Sequence, residues 1–139
     1  MSQALEIFDK TFHKTNRWLQ EIMSELSWDD RHKAYLALRA TLQTLRDRLT
    51  LEEAVQFGAQ LPMLIRGFYY EGWEPAKPPV KMHKEDFLSR VKSQFDEEID
   101  AEQVVKAVFR VISRRVTEGE MEDVKAVLPQ DLEKLWPAK

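Results

Sequence analysis

One pattern occurs twice in this chain. Arg48-Leu49-Thr50-Leu51-Glu52-Glu53 and the Ala59-Gln60-Leu61-Pro62 that follows recur as Arg115-Val116-Thr117-Glu118-Gly119-Glu120 and Ala126-Val127-Leu128-Pro129. The offset is 67 throughout (50 to 117, 61 to 128), and each copy closes on large apolar groups, Phe68 and Tyr69 in the first and Leu135 and Trp136 in the second. A chain of 139 residues is about one domain by length. Each half alone has too few residues to bury a comfortable core, so the halves are expected to share one. The predicted organisation is a first helical unit over residues 1–73, a proline-rich strap over 74–82 and a second helical unit over 83–139, together one compact domain.

Apolar spacing sets the elements. Over residues 3–26, Leu5, Phe8, Phe12, Leu19, Ile22, Met23 and Leu26 recur at helical intervals. Ser27 is the expected N-cap of the next helix, with Asp30 in its first turn. Tyr35, Leu38, Leu42, Leu45 and Leu49 then form one stripe, and Ala34, Ala37 and Ala40 permit close approach by a neighbour. Thr50 with Glu53, and Thr117 with Glu120, have the spacing of a capping box, so a short helix is expected after each. Pro62 and Pro129 suit the first turn of a further short helix. Phe87, Leu88, Val91 and Phe95 open the second copy. Asp100 and Gln103 then mark the start of a helix whose buried stripe is Ala101, Val105, Val108, Ile112 and Val116. No hairpin dipeptide or sustained alternation signals a strand. The fold class expected is all-α: an internally duplicated helical bundle of two pseudo-equivalent units with three to four helices each.

Composition excludes whole classes of chemistry. There is no cysteine, which removes disulfides, thiolate catalysis, iron–sulfur clusters and thiolate zinc. Residues 1–10 contain Glu6 and Asp9 and lack the apolar core of a signal peptide, and no apolar run approaches the ~20 residues that span a bilayer. A cytoplasmic protein without a membrane role is the expectation. The net charge of −3 gives no bulk basic field for nucleic acid.

The block Leu61-Pro62-Met63-Leu64-Ile65-Arg66-Gly67-Phe68-Tyr69-Tyr70-Glu71-Gly72-Trp73, the proline strap, Phe87-Leu88 and Val91, then Gly119-Glu120, Leu128-Pro129 and Leu135-Trp136-Pro137 give the chain a family likeness. It resembles the bacterial domain-of-unknown-function family numbered 2267 over nearly its whole length. The resemblance implies a small all-helical bacterial protein with an internal duplication, and it carries over no reaction.

The chain carries few residues in patterns that signal chemistry. His13, His32 and His83 stand alone on separate segments, without a metal-binding pair. Asp96-Glu97-Glu98 with Asp100 lacks the glycine and the alternation of a calcium loop. No nucleophile elbow and no glycine-rich phosphate loop is present. Catalytic, cofactor-binding and metal residues are therefore expected to be none, and no cofactor is expected. Arg39, Arg46 and Arg48 on one long helix, and Lys106, Arg110, Arg114 and Arg115 on the other, form polar faces that could meet phosphates, but interleaved acids and the negative net charge favour a solvated face. Phe68, Tyr69, Tyr70 and Trp73 crowd six residues. Phe68 and Tyr69 have repeat counterparts. Tyr70 and Trp73 have none: they either pack under the proline strap, which burial tendency favours, or form an exposed patch that would suggest a partner site. With Arg66 they make the expected interaction surface. The function expected is a non-enzymatic helical protein-interaction module with a protein partner or homodimer. The alternative is nucleic-acid binding through the Arg/Lys faces. A small-molecule ligand is left unspecified, as is an enzyme or metal site assembled only in three dimensions.

Overall fold

The computed structural model describes residues 5–138. The predicted helix start at residue 3, the head of the 1–10 segment and the last residue of the second unit lie outside them. Eight helices and no strand are present among the described residues: α1 (Glu6–Leu26), α2 (Arg31–Arg48), α3 (Leu51–Gly58), α4 (Met63–Tyr70), α5 (Lys84–Lys92), α6 (Ala101–Arg115), α7 (Glu118–Ala126) and α8 (Gln130–Glu133). The all-helical class is as expected.

Local chemistry explains most boundaries. The hydroxyl of Thr50 accepts from Glu53 N at 3.2 Å, that of Thr117 from Glu120 N at 3.3 Å, and the carboxylate of Asp100 from Gln103 N at 3.2 Å. One expected cap is corrected. The N-cap of α2 is Asp30, whose side chain accepts from Lys33 N at 3.1 Å. Ser27 instead ends α1 in the left-handed conformation (φ 56°), with the next N–H, that of Trp28, returning to Met23 O at 2.9 Å. A capping oxygen must sit immediately before the first helical residue, and Asp30 occupies that place. Pro62 and Pro129 precede α4 and α8 by one residue rather than lying inside them.

α2 is the axis of the packing. It meets α1, α4, α5 and α6, while α3 packs on α4 and α7, and α5 on α6 and α8. Leu38, Leu42 and Leu45 of α2 and Val105, Val108 and Ile112 of α6 are wholly buried, in one apolar cluster fed by both halves of the chain. Phe109 stacks on Trp136 with centroids 3.8 Å apart and planes 4° from parallel, so the segment after α8 closes the core. α1 and α6 run antiparallel, clasped by Glu25 with Arg110 (2.7 Å) and Arg114 (3.2 Å) and by Glu21 with Arg114 and Arg115. The Arg110 guanidinium, ahead of the opposing effect of burial and aided by Arg114, holds the Glu25 carboxyl below its usual range.

The strap follows the C-terminal end of α2. Val80 N donates to Asp47 O at 2.8 Å, and Arg48 Nε to Met82 O at 3.4 Å. Arg46 is nearly buried and donates Nη1 to the carbonyls of Tyr69 (2.9 Å) and Glu71 (3.0 Å), closing the C-terminal end of α4. Arg46→Met keeps the apolar stem and strands those carbonyls. It is expected to cost about 2–3 kcal/mol in urea unfolding, because buried hydrogen bonds to a charged donor exceed neutral ones. A change near zero would mean that water replaces the guanidinium without penalty.

Candidate functional site

Arg66, Tyr70 and Trp73 come together around α3. Arg66 donates Nε to Gly58 O at 3.0 Å and Nη2 to Leu61 O at 2.7 Å, so its guanidinium closes the C-terminal end of α3. Tyr70 stacks on Trp73 (5.4 Å, 24°) and leans on Tyr69 (4.9 Å), with its hydroxyl directed at Val55 O. A side chain at Gly58 would overlap the Tyr70 hydroxyl and lie 3.0 Å from Tyr69 Cε2, which is why the ring pair can fold over α3. Both rings are half-buried. Tyr70 thus leans on α3, Tyr69 and Trp73, and the strap bonds to the end of α2 through Val80 and Met82.

Glu53 and Glu120, the residues whose spacing from Thr50 and Thr117 marks two capping boxes, come together where α3 packs on α7. Glu53 and Glu120 keep the Thr hydroxyl arm of the expected box, but their carboxyl groups face each other where α3 meets α7. Each residue is 9% exposed, and Oε2 of each is buried without a donor. Two carboxylates in contact out of water cannot both stay ionised, and one proton between them satisfies both. Burial first, then the hydrogen bond and charge of Glu53, then Asp123, push the Glu120 carboxyl up to about 8. The wholly buried Tyr69 stands nearby, its hydroxyl donating to Ala54 O at 2.7 Å. Burial raises that hydroxyl far above its usual range, with smaller contributions from both glutamates. The 67-residue offset that maps residue 53 onto 120 is the one sequence pattern that links these two positions.

The cationic faces of the two long helices are engaged within the protein. Arg39 faces Glu71 (3.9 Å), Arg46 and Arg48 hold carbonyls, Lys106 pairs with Glu102 (2.9 Å), and Arg110, Arg114 and Arg115 meet Glu21 and Glu25. Among the described residues no group of three or more His, Asp or Glu is placed to hold a metal ion, and no helix is long and apolar enough to cross a membrane.

The first two turns of α1 depart from expectation. Leu5, Phe8 and Phe12 continue the stripe that Thr15, Leu19 and Ile22 bury, yet they are 61%, 46% and 51% exposed. At roughly 30 Å, α1 outruns its partners. Arg115 ends α6 beside Glu21, and α4 begins beside Thr11, whose hydroxyl accepts from Leu64 N at 2.9 Å. Met63 and Leu64 extend the apolar face onto α4, at 45% and 39% exposure. Further along, α1, the start of α2 and α4 enclose an open groove of about 670 Å³ lined by Leu19, Tyr35, Leu64 and Phe68 with Arg31 and His32.

The fold and these surfaces define an all-helical protein with a buried acid pair and an uncovered apolar helix end. The chain belongs to the family described as uncharacterized conserved protein (DUF2267), whose model matches residues 15–135. No curated protein matches it in sequence.

Proposed function

We propose that this chain is a non-enzymatic, cytoplasmic bacterial interaction module, one compact domain built by internal duplication, that works by docking a protein segment on the α1–α4 face. The uncovered stripe of Leu5, Phe8 and Phe12, continuous with Met63, Leu64 and the adjoining groove, is the observation that carries the docking role. Contiguous exposed apolar surface beside a groove marks partner sites far more often than scattered exposed residues do. Arg66, Tyr70 and Trp73 contribute less to this surface, because Arg66 and Tyr70 bond carbonyls of α3 and the turn after it, and Trp73 stacks on Tyr70. Duplication is supported by the 67-residue offset, by the paired Thr caps and by the meeting of Glu53 with Glu120.

A photo-cross-linking residue placed at position 12 or 64 is expected to capture polypeptide, while one at position 77 in the strap captures little. Equal capture at all three positions would remove the role assigned to this face. Nucleic-acid binding is the competing function. A gel shift at low salt that weakens as salt rises would favour it, and none is expected while the arginines of α6 are paired with α1.

A further inference from the structure

The uncovered helix end and the groove lie side by side on one face of one chain, which is the arrangement a two-fold pair requires. A surface carrying both a knob and its complement closes on itself when two copies meet about a dyad. From this we infer that the occupant of the groove is the N-terminal end of α1 from a second copy, laid antiparallel along α1 with the two-fold axis near Phe12. The proposal rests on the docking role just assigned to this face.

Spacing and charge carry the inference. With Phe12 at the axis, residues 5–8 of the incoming helix fall opposite residues 16–19, where Leu19, Tyr35, Leu64 and Phe68 line the groove. Leu5 and Phe8 then bury the apolar surface that their own chain leaves exposed. An amphipathic helix in an apolar groove is a recurrent recognition mode, read through anchors spaced three and four residues apart. Phe8 and Phe12 have that spacing.

The rim chemistry is complementary. Arg31 donates only to the neutral Asn16 (3.3 Å) and Gln20 (3.5 Å), and no carboxylate meets it among the described residues. His32 lies beside it on the rim. The incoming helix brings Glu6, whose one ion pair among the described residues is an exposed contact to Lys10 at 3.5 Å, and Asp9. Glu71, the carboxylate among the groove's lining residues, is already turned to Arg39 at 3.9 Å. Antiparallel pairing therefore sets acid on base at both ends of the interface, which favours this register over the parallel one.

Light scattering across a concentration series tests the inference. The mass is expected to rise toward twice that of the chain. Phe8→Asp with Phe12→Asp is expected to weaken self-association by about 100-fold or more, as central aromatic anchors do. Glu6→Arg alone is expected to weaken it by about tenfold, and Glu6→Arg with Arg31→Glu to recover it. A parent chain that stays monomeric overturns the second copy as occupant and leaves the docking face standing. So does a dimer indifferent to Phe8→Asp with Phe12→Asp. If those changes lower the melting temperature of the chain sharply, the rings belong to its own core, and the inference fails together with the docking role.

Discussion

At pH 9 the Glu120→Gln variant is expected to melt on the order of 5–10 °C above the parent chain, while near pH 5 the two melt at similar temperatures. The carboxyl of Glu120 is raised from 4.5 in the unfolded chain to about 8 in the fold. Between those values the folded chain holds a proton that the unfolded chain has released. The stabilisation is complete below about 4.5, declines as the pH rises through the interval, and is lost above about 8. Above that point two buried carboxylates face each other, at a cost on the order of a few kcal/mol. Glutamine keeps the shape, offers Glu53 a donor and does not titrate.

The groups facing the pair are Asp123 on α7, which adds to the repulsion, and Tyr69 on α4, which stays neutral through this range. Arg46 of α2 acts on Tyr69 and is spent on carbonyls. The lowered carboxyls of Glu25, Glu102 and Asp131 contribute stability that is lost only as the pH falls through their folded values, so they add no slope on the alkaline side. Parallel melting curves for variant and parent from pH 5 to 9 would show that Glu53 and Glu120 do not share a proton.

The second large effect is expected at the other end of the core. Trp136→Ala removes a ring that is 5% exposed and stacked on the wholly buried Phe109. The loss is expected to be about 3–5 kcal/mol in denaturant unfolding, the usual cost of deleting a buried aromatic whose neighbours cannot collapse into the space. Phe109 also meets Phe87 edge to face, with centroids 5.9 Å apart, so the hole opens inside an aromatic cluster. A loss below about 1 kcal/mol, within the range of surface substitutions, would mean that the segment after α8 does not close the core.

What could be read in the sequence follows the range of the forces involved. Caps at Thr50, Asp100 and Thr117 depend on atoms three residues apart, and they were legible. Ser27 was misplaced because Ser27 and Asp30 both suit a cap, and the choice depends on how α1 ends. The buried stripes of α2 and α6 follow from periodicity. Burial of the α1 stripe does not, because it depends on where α4 and α6 stop, and Leu5, Phe8 and Phe12 have the same spacing whether covered or bare. Glu53 and Glu120 were hidden by a sufficient local explanation. A carboxylate at the third helical position can cap its own helix, and only the approach of α3 to α7 shows that it meets its counterpart instead. For Tyr70 and Trp73 the sequence leaves two places open, under the strap or on the surface. The missing side chain at Gly58 draws Tyr70 over α3.

The absence of cysteine from the chain makes the central claim directly measurable by spin labels at single introduced cysteines. Labels at His13→Cys and at Ser24→Cys lie on the same helix, one beside the proposed two-fold axis and one at the far end of α1. Dipolar spectroscopy is expected to give a short distance between copies at residue 13 and a much longer one at residue 24. Short distances at both positions would mean parallel helices, and no coupling at residue 13 would mean that no second copy sits on this face. Either result contradicts the antiparallel pair.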